Sequence, residues 1–189
     1  MRRIVSTIAA ALALASSAAA TPPSFDGIRL KSPQAAPDFT LRDQAGRTVR
    51  LSRLHGKLVL VTFLYTHCPD VCPLTAVHLN QAVRRLGAAH TQVRVLAVSV
   101  DPRGDTPRAV AGFVRSHGLL PQFRYLVGTR AALTPVWRAY GVKSLALAGD
   151  KVDHTLYTLL VDPHGRGRVV YDSTARPAAI LHDLRLLLG

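Results

Sequence analysis

The sequence has 189 residues, is 48% hydrophobic and carries a net charge of +13, nearly all of it from arginine. That length gives room for one well-buried domain and one site. Two cysteines four residues apart exclude a disulfide-stapled scaffold, and a chain with no recognisable nucleic-acid-binding motif and no basic-aromatic patch is not expected to bind nucleic acid.

The first elements in chain order are targeting elements. Arg2 and Arg3 precede an apolar stretch from Ile4 to Ala15 and the small residues Ala18 to Ala20, the order of a secretory signal peptide cleaved after about Ala20. An uncleaved anchor is the alternative, although the run is short of the ~20 residues a span needs. Both cysteines lie far downstream, so no lipid-modified cysteine sits at the cleavage point. The expected location is the periplasm or the outer face of the inner membrane. Loss of the two arginines leaves +11, enough to steer association with anionic lipid surfaces or acidic proteins, although ordinary solubility is the preferred account of the charge.

Residues 21–37 are proline-rich and aperiodic and read as a linker, with the domain spanning 38–189 as a monomer. Phe39, Leu41, Val49 and Leu51 alternate around Asp43-Gln-Ala-Gly46, predicting a β-hairpin. Lys57 to Tyr65 is a continuous apolar run suited to a buried central strand. From Leu74 the apolar residues take helical spacing, with Gly87 as the stop. Arg94 to Val100 predicts a second buried strand, and Thr106 with Pro107 predicts the start of a helix running to about His117. A strand at Phe123–Val127, a helix at Thr129–Tyr140, strands at Thr155–Val161 and Gly167–Tyr171, and a helix at Pro177–Leu188 complete the chain. Strand-helix alternation closed by a hairpin and a helix gives an α/β mixed sheet with helices on both faces.

Cys68 and Cys72 lie in Tyr65-Thr-His-Cys-Pro-Asp-Val-Cys-Pro73, between the central strand and a helix. A helix start stabilises anions, which predicts a lowered thiol pKa at Cys72, and Pro73 suits the first helical position. Three intervening residues let two sulfurs flank a metal without forbidding a disulfide, so spacing leaves metal and redox roles open. Soft sulfur suits Cu(I), and an added imidazole would let the site hold Cu(II). Among eight histidines, His67 neighbours Cys68 but sits at a strand end, and His78 falls off the required face. His55, His90, His117, His164 and His182 read as turn or helix-end residues facing water. His154 follows Asp153, a candidate orienting partner for its ring. Asp70, between the cysteines, would tune the thiols, meet a partner or simply form the turn. Asp162 would support the site or serve an Asp-Pro turn.

Phe63 to Pro73, Ser99 to Pro107, and Asp153-His154-Thr155 with Leu160 to Pro163 together resemble the three signature segments of the Sco/SenC copper chaperones, in family order from about Asp38 onward. The resemblance implies a thioredoxin-like fold with an N-terminal β-hairpin. It also implies one copper, as Cu(I) or Cu(II), held by Cys68, Cys72 and His154. The family delivers copper to the dinuclear copper site of cytochrome c oxidase subunit II, or reduces that site's cysteines. A thiol-disulfide reductase cycling Cys68 and Cys72 is the enzymatic alternative. A peroxiredoxin-like peroxidase is disfavoured because Tyr65 and Pro69 stand where a threonine or serine would precede the reactive cysteine. A purely structural disulfide across so short a loop would add little stability.

Overall fold

In the computed structural model, which describes residues 24–146 and 152–189, the fold is organised around β4 (Leu58–Leu64), seven consecutive buried residues. The apolar segment read as a signal peptide lies outside the described residues. A strand buried on both faces needs covered neighbours on both sides, which accounts for its unbroken apolar run. β4 pairs in parallel with β5 (Val93–Ser99), and β5 pairs in parallel with β6 (Phe123–Val127).

The sheet has eight strands in the order β1, β10, β9, β4, β5, β6, β2, β3. On one side β9 (Thr158–Val161) runs antiparallel to β4 and is followed by β10 (Gly167–Tyr171), with β1 (Ile28–Arg29) at the edge. On the other side the hairpin of β2 (Thr40–Asp43) and β3 (Thr48–Arg50) extends the sheet from β6. The stretch read as a linker therefore supplies an edge strand. A second, two-stranded sheet pairs β7 (Ser144–Ala146) with β8 (Val152–His154). The single strand expected over Thr155–Val161 begins three residues later, at Thr158.

Parallel neighbours require crossovers, and right-handed crossovers stepping the same way place their helices on one face. α1 (Val71–Arg84) and α2 (Pro107–Ser116) make these crossovers, and α4 (Pro177–Leu188) packs beside α1. Asn80 of α1 donates to the Gly118 carbonyl and accepts the Leu120 N–H at 2.8 Å, locking the end of α2 against it. α3 (Arg130–Ala139) covers the opposite face: Trp137 Nε1 donates to the Ser99 carbonyl at 2.9 Å, and the Tyr140 ring packs on Phe63 and Phe39. Thr106 caps α2 as its position before Pro107 predicts, and Thr129, read as the first residue of α3, caps that helix instead; each accepts the N–H three residues on.

α1 starts at Val71, so Pro73 is its third residue and not its first. The first four N–H groups of a helix have no internal partner, so a proline costs nothing at that position either.

The last helix is fastened by a fully buried carboxylate. Asp183 accepts the N–H groups of Asp26 and Gly27 at 2.8 and 3.0 Å and the Tyr171 hydroxyl at 2.9 Å, with His182 Nδ1 at 2.8 Å. Asp183→Ala leaves three of these donors without an acceptor, at about 1 kcal/mol or more each. We expect the melting temperature to fall by roughly 6–12 °C at the usual 2–4 °C per kcal/mol for a chain of this size. An unchanged thermal unfolding curve would show that the clasp is dispensable.

Candidate metal centre

β4 ends at Leu64, and residues 65–70 carry the chain from the sheet into α1. Cys68 N–H donates to the Tyr65 carbonyl at 3.4 Å, making the turn that brings Cys68 over the first residues of α1. Cys72, the second helical residue, is fully buried, whereas Cys68 is half-buried. The Cys72 N–H, one of the helix's unpartnered donors, points at Cys68 Sγ from 3.4 Å. The field of the helix start thus falls on Cys68.

The expected lowering at Cys72 is overturned. Burial pushes its thiol well above the ordinary cysteine range against a hydrogen bond involving the Tyr65 backbone that favours the thiolate, and the neighbouring Cys68 and Asp105 add to the rise. Burial therefore favours the protonated thiol, and a cation bound beside it would favour the thiolate.

His154 meets Cys72 from the other side. Its strand, β8, is held by β7 in the register Ser144 to His154, and Ser144 Oγ donates to the Val100 carbonyl at 2.8 Å. Val100 N–H in turn donates to the Leu64 carbonyl, so a few hydrogen bonds fix the imidazole relative to the cysteine turn. His154 Nδ1 lies 3.1 Å from the Thr155 carbonyl, which can only accept, so this nitrogen carries the proton. The bare Nε2 lies 3.7 Å from Cys72 Sγ. Burial holds the His154 pKa below its ordinary value, against opposing contributions from the Thr155 backbone bond and the Asp153 charge, so the ring stays neutral and ligand-competent. The Tyr65 ring stands edge-on to the imidazole, with centroids 5.6 Å apart.

These residues fit a soft metal. A separation of 3.7 Å is what a thiolate bond of ~2.3 Å and an imidazole bond of ~2.0 Å span when they meet at about 120°. Cys68, half-exposed on the preceding turn, could join them as a third donor by a turn of its side chain. Among the described residues, the three groups whose ligating atoms already lie within 4.8 Å of one another are Asp26, His182 and Asp183. There the Asp183 oxygens are committed to the clasp described above, so that cluster is structural.

Of the expected supporting carboxylates, Asp162 is displaced from the site, while Asp153 and Asp70 stay beside it. Asp162 lies at the opposite end of the sheet, because the antiparallel register sets Val161 beside Val59 while the cysteines follow Leu64. There it closes the β9–β10 turn, accepting from the His164 and Arg166 N–H groups and pairing with Arg168 at 3.0 Å. Asp153 is exposed and acts on the His154 ring through its charge, while the Thr155 carbonyl supplies the orienting hydrogen bond. Asp70 stands exposed at the N-cap of α1 with no capping hydrogen bond. His67 is also exposed, with Nδ1 turned to the Thr66 hydroxyl and to Gly104, where a Cβ would come within 2.9 Å of it.

The carboxylate that supports the turn is Asp105, which sequence reasoning passed over. It is buried, and it accepts the Thr66 N–H and hydroxyl at 2.7 Å, the Ser99 hydroxyl, and the Tyr125 hydroxyl at 3.1 Å. One side chain thus ties the approach to Cys68 to the end of β5 and the middle of β6. Its signal was the second aspartate of Asp101-Pro-Arg-Gly-Asp105, which resembles an ordinary turn residue.

A SCO1/SenC family model matches residues 29–189. Protein SCO2 homolog, mitochondrial, of Bos taurus is 35% identical over 153 residues, covering 77% of this chain and 56% of its own length. The copper-bound structure of Bradyrhizobium japonicum ScoI aligns with a TM-score of 0.71 and 31% identity, over 82% of this chain and 99% of that one. The apo Sco1 protein of Thermus thermophilus aligns with a TM-score of 0.75 and 34% identity, over 87% and 97%. The fold is thioredoxin-like, as in these structures.

Proposed function

Because the chain belongs to the SCO1/SenC family, we propose that it is a copper metallochaperone that holds one ion between Cys68, Cys72 and His154. It delivers that ion to the dinuclear copper site of cytochrome c oxidase subunit II, or keeps that site's thiols reduced. The observation that carries the reading is the pairing of a buried thiol with an imidazole whose tautomer leaves Nε2 bare toward it.

Two soft sulfurs favour Cu(I), and the imidazole extends the site to Cu(II). A carrier must also release its cargo. Cys68, half-exposed, is the sulfur a client ligand reaches first, and exposed Asp70 beside it is placed to meet that client. Ligand exchange then passes the ion outward while Cys72 recovers a proton. Export to the periplasm, or to the outer face of the inner membrane, agrees with the N-terminal segment and with an oxidase client. Among the described residues no helix is long and apolar enough to cross a membrane.

The same geometry supports thiol-disulfide exchange as a second reading, because an accessible sulfur lies next to a buried one. In that cycle Cys68 attacks a client disulfide and Cys72 resolves the mixed disulfide. The client gains two electrons and two protons, and Cys68 and Cys72 become a disulfide that an upstream dithiol must reduce.

His154→Ala separates the contributions of sulfur and nitrogen. We expect Cu(II) affinity to fall at least about a hundredfold while Cu(I) affinity falls less than about tenfold, because loss of a hard-leaning nitrogen matters more to Cu(II). Competition titrations with chelators selective for each ion measure both. Full Cu(II) affinity in the variant would remove His154 from the donor set.

A further inference from the structure

A hollow of about 200 Å³ lies at the other end of the parallel strands, remote from the cysteines. Arg47, Arg50, Arg53, Arg94 and Arg124 line it, with Asp43 and an apolar floor that includes Leu96. Five guanidinium groups around so small a space repel one another unless anions lie among them.

The local carboxylates do not supply enough negative charge. Asp43 is fully buried and saturated: one oxygen accepts the Ala45 and Arg47 N–H groups, and the other accepts Arg47 Nε and Arg124 Nη1. Asp38, at the rim, pairs with Arg50 at 2.8 Å and also accepts the Ser52 N–H and hydroxyl. Two carboxylates thus face five arginines. Arg94 turns Nη1 onto the Thr91 and Val93 carbonyls at 3.0 and 2.8 Å, which positions its guanidinium without neutralising it. Neither Arg53 nor Arg94 has a carboxylate partner among the described residues.

We propose that this hollow is a binding site for a phosphate group. Guanidinium forks match the paired oxygens of a tetrahedral oxyanion, and several converging on one concavity select a compact anion over an extended acidic chain. The phosphate would come from a free phosphate ester or from an anionic lipid headgroup. The site is independent of copper, since it shares no residue with the cysteine turn.

The test is calorimetric titration of the full chain with inorganic phosphate and pyrophosphate at constant ionic strength in chloride. We expect saturable one-to-one binding that weakens at least tenfold in the Arg53→Gln/Arg94→Gln double variant and is unchanged in Arg115→Gln, an exposed arginine of α2. Flotation with phosphatidylglycerol vesicles, against phosphatidylcholine controls, distinguishes the sources. Arginine-dependent flotation that inorganic phosphate competes away assigns the lipid headgroup, and phosphate binding without it assigns a free ester. No saturable phosphate binding, or equal binding by the double variant, overturns the proposal.

Discussion

Cys72→Ser is expected to lower Cu(I) affinity by about three orders of magnitude, on the scale of one ligand's share of the ~10–16 kcal/mol with which structural thiolate sites hold zinc. Cys72 is the sulfur already 3.7 Å from His154 Nε2, and it is fully buried, so no water replaces it as a ligand at comparable strength. Serine keeps the shape, and its hydroxyl can still donate to the imidazole, so the fold should survive. The wild-type site also has a pH signature. Burial keeps Cys72 protonated through the neutral range, so each bound ion displaces its proton. Apparent affinity should therefore rise about tenfold per pH unit between about pH 6 and 8 from this residue alone, and that increment should vanish in the serine variant. Chelator competition at three pH values measures both effects. A variant that retains wild-type affinity would show that Cys72 is not a ligand.

The second large effect is expected at Asp105. Asp105→Ala strips the acceptor from the Thr66 N–H and from three hydroxyls in a buried setting. An orphaned buried donor costs about 1–3 kcal/mol; the hydroxyls can turn in part to other acceptors, but the backbone N–H cannot. We expect a loss of about 3 kcal/mol in denaturant unfolding. Cu(I) affinity should fall with it, because Thr66 leads directly into the cysteine turn. Asp105→Asn retains an acceptor for Thr66 and should recover most of both losses. An alanine variant with an unchanged unfolding midpoint would show that the turn is held by other contacts.

The parts of the fold legible in the sequence are those where one physical signal dominates. The unbroken apolar run of β4 announces burial on both faces, and Thr106-Pro107 announces a capped helix start. Pro177–Leu188 is helical over the whole stretch that its amphipathic pattern indicates. Short elements that depend on distant partners carry too little pattern. β1 is two residues inside a proline-rich arm, and β7 and β8 are three residues each, so none has room for an alternation.

At the site, residue type and the resemblance of their segments singled out Cys68, Cys72 and His154, and the fold sets His154 beside Cys72, while the direction of the Cys72 shift was not legible. A helix start favours the thiolate and burial opposes it. Burial depends on what α1 packs against, which the local sequence does not contain. Asp162 was misplaced for a related reason. It follows a strand near the site in sequence, but β9 runs antiparallel to β4 and delivers its C-terminal end to the far side. Asp105 went unnoticed because its role lies in four donors from three separate segments.

The central claim is one copper ion per chain on Cys68, Cys72 and His154. Its most direct test is copper stoichiometry together with the Cu(II) absorption spectrum of the fully reduced protein, with the Cys68→Ser, Cys72→Ser and His154→Ala variants measured beside it. We predict one copper per chain and a thiolate-to-copper charge-transfer band that disappears in either cysteine variant and shifts in the histidine variant. Absence of copper binding by the fully reduced protein would contradict the claim and leave thiol-disulfide exchange as the chemistry of this site.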